Sequence, residues 1–224
     1  MHKILILVEG PTEENFTTRL LLPYLSGFNV FPTPILATTR KVKGEPAPFK
    51  GGITDYAKVR RDLMGLLRDR SASLVTTMID YYGLPDDFPG QQHRPAGSCY
   101  QIIEHLEEAF RQDINHRKFL PYFSLHEFEA LLFTSPEIIA TNFPETDLRS
   151  ELSKIRNAFG SPEEINDDPR TAPSKRLKTL YPQYRKVAQG LAIAEQVGLS
   201  LMRNECRHFN DWLTKLETLG QASV

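Results

Sequence analysis

Residues 1–16 read MHKILILVEGPTEENF, and the reading of this stretch decides the fold. Lys3 to Val8 is a short apolar run without polar alternation, the pattern of a strand buried on both faces. It stops at Glu9-Gly10-Pro11-Thr12. Gly10 permits a tight turn, Pro11 suits the first position of a helix, and Thr12 can cap one. Phe16, Leu20, Leu21, Tyr24 and Leu25 then share one face at helical spacing. Glu9 therefore falls at the carboxyl end of a buried strand, the rim where open α/β sheets bind ligands. A carboxylate directly after an apolar run is desolvated unless it meets solvent, a donor or a cation, which makes Glu9 a functional candidate. Glu13 and Glu14 lie in the first helical turn, where the helix dipole alone accounts for acids.

The same rhythm returns twice. Leu74 to Ile79 (LVTTMI) is apolar and runs into Asp80-Tyr81-Tyr82-Gly83. Phe119 to Leu125 (FLPYFSL) runs into His126-Glu127-Phe128-Glu129 and a helix start. Parallel strands that end in carboxylates at one rim gather oxygen donors, which hard divalent cations such as Mg²⁺ prefer. Glu127 and Glu129 either extend that acidic rim or serve as dipole-favoured acids of a helix. They are not part of a zinc-protease H-E-x-x-H motif, because Ala130 stands where the second His belongs.

Between these strands the chain supplies helices and loops. Asn29 to Thr39 is extended, but Pro32 and Pro34 weaken it as a central strand and leave Ile35 to Thr39 to pair. Arg40 to Gly52 is a loop rich in Gly, Pro and Lys, and Lys50-Gly51-Gly52 precedes an amphipathic helix running from Tyr56 to Leu67. Glycines and a lysine ahead of a helix can approach phosphate, although no Walker motif is present. Ser98 caps a helix whose apolar face is Ile102, Ile103, Leu106, Ala109 and Phe110. Strand–helix alternation of this kind predicts a parallel sheet flanked by helices.

After residue 135 the pattern becomes helical: 136–141, 147–159, 172–181, 184–197 and 199–219. The expected organisation is an α/β domain over 1–135 with a helical extension over 136–224. Residues 40–70 hold nine basic and four acidic side chains, and residues 170–186 hold six basic and no acidic ones, with Tyr181 and Tyr184 interleaved. Either segment is a solvated face or a contact for nucleic-acid phosphates. The whole chain, at net charge −1, is no polycation, so any such surface is local. Two distant cysteines, Cys99 and Cys206, make no disulfide framework and fit a reducing cytoplasm. The N-terminal apolar run is too short for a signal-peptide core or a membrane span, so a cytoplasmic, membrane-free protein is expected.

Val8-Glu9-Gly10-Pro11-Thr12-Glu13 and the strand ending in Asp80 resemble the Toprim domain shared by topoisomerases, primases and OLD-family nucleases. That family places a Glu after its first strand and an acidic D-x-D after its third. The likeness covers residues 1–133. More narrowly, V-E-G-x-T-E, D-Y-Y-G, H-E-F-E-A-L-L and the tail Cys206 to Trp212 (C-x-H-F-x-x-W) are similar to a family of Toprim-like proteins of bacteria and archaea. The resemblance implies a Toprim-like α/β fold with a C-terminal helical extension and a Mg²⁺- or Mn²⁺-dependent nuclease, a phosphodiester hydrolase acting on DNA or RNA. It also implies an ABC-type ATPase partner and a role in defence against phage. One departure stands out: the second Asp of D-x-D is Tyr82 here. A second metal would then draw on Glu13, Glu127 or Glu129.

The leading expectation is metal held by Glu9 and Asp80, with Glu13 a further ligand or general base. Lys50 or Lys175 would stabilise charge on the phosphate. Two rivals stay open: a non-catalytic Toprim-like module docking on an ATPase, and a nucleotide- or phosphate-binding protein. A further copy of the chain is also among the expected partners.

Overall fold

The computed structural model describes residues 1–38, 53, 55–144, 147–166 and 170–221. Its first strand, β1 (His2–Val8), is covered on both sides. Ile4, Ile6 and Val8 enter one core and Leu5 and Leu7 the other, all nearly or wholly inaccessible. A strand with two buried faces cannot alternate apolar and polar residues, which explains the unbroken run in the sequence. Gly10, not Thr12, is the N-cap of the helix that follows, α1 (Pro11–Phe16), with Pro11 at its first turn and Thr12 buried. A π-helical turn, Thr17–Leu21, joins α1 to α2 (Leu22–Ser26). Pro23 has no N–H to return to the preceding turn, and the helix relaxes just before it: Leu22 N–H reaches Thr17 carbonyl.

β2 (Val30–Leu36) pairs with β1 in parallel along its whole length, including Pro32 and Pro34. The expectation that only Ile35 onward pairs is corrected by the strand's position at the sheet edge. Ala37 N–H bonds to Val8 carbonyl, and Asn29 carbonyl accepts His2 N–H. Odd-numbered residues thus bond inward, and both prolines place their missing N–H on the open side. After α3 (Tyr56–Leu66), β3 (Ala72–Asp80) lies along the other side of β1. α4 (Cys99–Ile114) starts with a complete capping box, Ser98 and Gln101 bonding reciprocally.

The fourth expected strand is two short pieces, β4 (Phe119–Leu120) and β5 (Phe123–Ser124), both parallel to β3. Pro121 interrupts the ladder between them. Thr77 repairs the gap: its hydroxyl donates to Tyr122 carbonyl at 2.8 Å and accepts Tyr122 N–H at 2.9 Å. Strand order is β2-β1-β3-β4, so an α/β fold with a parallel sheet flanked by helices is observed.

The remaining helices are α5 (Pro136–Thr141), α6 (Arg149–Asn157), α7 (Pro173–Leu180), α8 (Leu191–Glu205) and α9 (Arg207–Gln221). The predicted helix over 199–219 is broken at Cys206, which is extended, and the break expected after Val197 falls at Gly198, whose φ of 75° suits glycine. These helices share the core that contains Ile4, Ile6 and Val8, whereas α3 and α4 cover the other face. Trp212 donates from its indole to Thr76 Oγ1 at 3.0 Å and stacks on Tyr122 at 4.3 Å. Buried Glu163 accepts the N–H groups of His208 and Phe209 at 2.9 and 2.8 Å, capping α9 from a distant segment. No described helix is long and apolar enough to cross a membrane.

Thr77→Val keeps the shape of the side chain but leaves buried Tyr122 N–H without an acceptor. A loss of about 1–3 kcal/mol in denaturant unfolding is expected. An unchanged midpoint would show that the hydroxyl is not what spans Pro121.

Candidate functional site

The carboxyl ends of β1 and β3 are neighbours, so the residues after them meet. Glu9 continues the ladder through its N–H to Met78 carbonyl at 3.3 Å. Its Oε2 accepts the backbone N–H of Asp80 at 3.1 Å. Asp80, the last residue of β3, accepts Phe128 N–H on Oδ1 at 3.1 Å. Its Oδ2 lies 3.4 Å from Lys186 Nζ. Glu13, in the first turn of α1, lies 3.8 Å from the same ammonium. A Cβ at Gly10 would come within 3.3 Å of Glu13 Oε2, so the glycine leaves that carboxylate its room.

The two acids of His126-Glu127-Phe128-Glu129 part company. Glu129 sits in a 3₁₀ turn, Phe128–Thr134, is fully buried, and places Oε2 3.1 Å from Lys186 Nζ. Its Oε1 accepts the Tyr184 hydroxyl at 3.4 Å. Glu127 is occupied elsewhere: its two oxygens accept Ser174 N–H at 2.9 Å and Ser174 hydroxyl at 3.1 Å, at the start of α7. Glu127 is the extended residue that precedes the turn and Glu129 lies within it, so their side chains leave in different directions.

The cation at the centre is Lys186, on a π-helical turn, Lys186–Gly190, that leads into α8. In the sequence Lys186 only closes the basic stretch 170–186. The signal that could have found it was charge: acids gathered at one rim demand a cation, and that stretch is rich in them. Lys175, proposed from sequence, is exposed on α7, and Lys50 lies outside the described residues. Among basic residues of the 40–70 segment, Lys58 and Arg60 pair with Asp55 and Asp113.

Charge balance at the rim is incomplete. Burial, reinforced by the charge of Asp80, pushes Glu9 up to about 7 and Glu13 up to about 8. Burial likewise lifts Glu129 to about 7 despite the pull of Lys186, and raises Asp80. Burial alone would lower Lys186, but Asp80, Glu129 and Glu13 outweigh it and hold the ammonium charged. One ammonium therefore faces four acids, more charge than it can offset. Hard oxygen donors with surplus negative charge fit a divalent cation. As the side chains stand, with Lys186 among them, no three His, Cys, Asp or Glu among the described residues form a ready ligand set.

A family model described as a domain of unknown function, DUF4276, matches residues 8–217. The chain belongs to the DUF4276 family. No curated protein and no solved structure matches it. The DUF4276 span starts one residue before Glu9 and runs well past Lys186, so it takes in both the sheet rim and the helical region that supplies the cation.

The raised acids fix the sign of a pH effect. Between the unfolded value of 4.5 and the folded values of about 7 to 8, the folded chain binds more protons than the unfolded one. Stability without metal should therefore fall as pH rises from about 5 to 8. His208, held up by Glu107 against the pull of burial, adds a fall of the same sign. Glu13→Gln isolates the rim: its unfolding midpoint in EDTA should fall less steeply with pH than that of the unaltered chain. Lys186→Met should act the other way, costing about 1–3 kcal/mol at pH 8 and little at pH 5, since the partly exposed ammonium is screened. Parallel pH profiles for all three chains would contradict a shared charge cluster.

Proposed function

We propose that this chain is a metal-dependent phosphodiester hydrolase of Toprim type, acting on DNA or RNA. The observation that carries the reading is the meeting of Glu9, Glu13, Asp80 and Glu129 at the carboxyl rim of a parallel sheet, with one lysine to balance them. The resemblance of Val8 to Glu13 and of the strand ending in Asp80 to Toprim motifs supports it. Glu9 and Asp80 would hold Mg²⁺ or Mn²⁺, with Glu13 or Glu129 adding an oxygen. When bound, the cation polarises phosphate and lowers the pKa of its water. Glu13 would otherwise act as the general base, since a bound cation offsets the burial and neighbouring charge that raise its carboxyl. Lys186, a third exposed at its side chain, is placed to pair with phosphate oxygen once the acids are otherwise balanced. An ABC-type ATPase partner and a role in phage defence follow from the resemblance, and a cytoplasmic location from the two distant cysteines and the short N-terminal apolar run; all belong to this proposal.

A second reading, a non-catalytic module that docks on an ATPase, draws on one observation. Lys186 already lies within 3.1–3.8 Å of three of the acids and offsets part of their charge without metal.

Melting curves and nuclease assays separate the two. Under the hydrolase reading, Mg²⁺ or Mn²⁺ raises the melting temperature of the unaltered chain, and cleavage of plasmid or RNA stops in EDTA. Glu9→Gln keeps an oxygen for Asp80 N–H, so its melting temperature in EDTA should be equal or higher, while cleavage and the metal response are lost. Asp80→Asn should lower the melting temperature even in EDTA, because both Asp80 oxygens accept and an amide donor faces either Phe128 N–H or Lys186. Absence of both the metal response and cleavage in the unaltered chain would leave the docking module.

A further inference from the structure

Beside the acidic rim lies a cavity of about 700 Å³, of the size that takes a nucleotide-sized ligand. Its wall is continuous with the site. Tyr81 and Tyr82 directly follow Asp80, and His126 directly precedes Glu127. The two wall segments are tied by Tyr82 N–H to His126 carbonyl at 3.2 Å. A Cβ added at Gly83, two residues past Tyr81, would come about 4.0 Å from Glu9 Oε1. The rim acids do not themselves line the cavity; its wall is joined to them through the residues that follow Asp80 and precede Glu127.

The chemistry of the wall selects among ligands. Tyr82 keeps 40% of its surface exposed, an aromatic face open to the cavity. Tyr81 is buried, and Arg94 donates to its hydroxyl and lies over its ring at 5.1 Å. Arg94 lines the same cavity and brings a guanidinium to it. Gln91 and Asn166 add amide side chains. Asp86 and Glu164 also line the space and disfavour a phosphate inside it. An aromatic face, a guanidinium and side-chain amides, with acids that repel phosphate, describe a place for a base and not for its phosphate. A base held in a duplex cannot enter such a pocket without leaving its stack.

We propose that this cavity takes an unpaired base of a single-stranded nucleic acid, stacked on Tyr82 and steadied by Arg94, so that the adjoining phosphate meets the carboxylate rim. The base site is independent of metal chemistry; only the fate of the phosphate rests on the hydrolase reading. The inference also gives Tyr82 a role in the position where Toprim-like motifs carry a second Asp: a carboxylate that would hold metal is exchanged for a ring that holds a base.

The test is fluorescence anisotropy in EDTA with a labelled mixed-sequence single strand, the same strand annealed to its complement, and the four deoxynucleoside monophosphates as competitors. The unaltered chain should prefer the single strand to the duplex. Tyr82→Ala and Arg94→Ala should each weaken single-strand binding about tenfold, Tyr82→Phe should restore it, and none should change the Mg²⁺-induced shift in melting temperature. Equal affinity of Tyr82→Ala, Arg94→Ala and the unaltered chain would overturn the proposal, as would duplex binding as tight as single-strand binding. So would monophosphates that bind as tightly as the strand, which would reassign the cavity to a free nucleotide. Strand binding that depends on Tyr82 without cleavage or metal response would remove the hydrolase reading alone; cleavage and metal response without that dependence would remove the base site alone.

Discussion

Four acids share one ammonium at the carboxyl rim of the sheet, and the rest of the structure is arranged around that shortage. Two adjacent parallel strands, β1 and β3, end close together: Val8 pairs with Met78 and β3 runs two residues further, to Asp80. Residues immediately beyond them are then crowded. Apolar residues there would extend the core. Glu9 and Asp80 instead carry charge into a space with little water, and a buried charge requires a donor or a counter-charge. Backbone N–H groups of Asp80 and Phe128 provide part of the answer and Lys186 the rest. Natural chains keep such costly clusters where charge has work to perform, and perturbed carboxylates in this setting are the usual mark of a functional site.

Much of this was legible in the sequence. β1 could be read because a doubly buried strand leaves an unbroken apolar run, and Glu9 stood out as the first charge after it. Asp80 followed by the same logic. Pro32 and Pro34 misled because their cost depends on which side of the strand lies open, a fact of sheet order and not of local composition. Pro121 was missed as an interruption because its repair comes from Thr77, a residue 45 positions away from Tyr122. Glu127 and Glu129 were inseparable on paper: only the 3₁₀ turn assigns one to capping α7 and the other to the cluster. Lys186 was invisible for a stronger reason. Its partners lie up to 173 residues earlier, and no local pattern distinguishes an inward lysine from its solvated neighbours in a basic stretch.

The helical region after residue 135 is more than a cover for the sheet. It encloses one face through Trp212, Phe209 and the helices around them, and it supplies the two groups that manage the rim's acids: Ser174, which engages Glu127, and Lys186, which balances the others. The capping of α9 by Glu163 binds that region to itself, and Trp212 to Thr76 binds it to the sheet.

The position of Lys186 along the chain has a consequence for biosynthesis. The ribosome releases the sheet strands, all within residues 2–124, well before it has made residue 186. A nascent chain can pair β1 with β3 early, yet its acids then have no internal cation and stay solvated or protonated. The rim reaches its final state only when the π-helical turn carrying Lys186 docks, after the strands have emerged. A truncated product that stops short of that turn retains the strands but not the assembled centre.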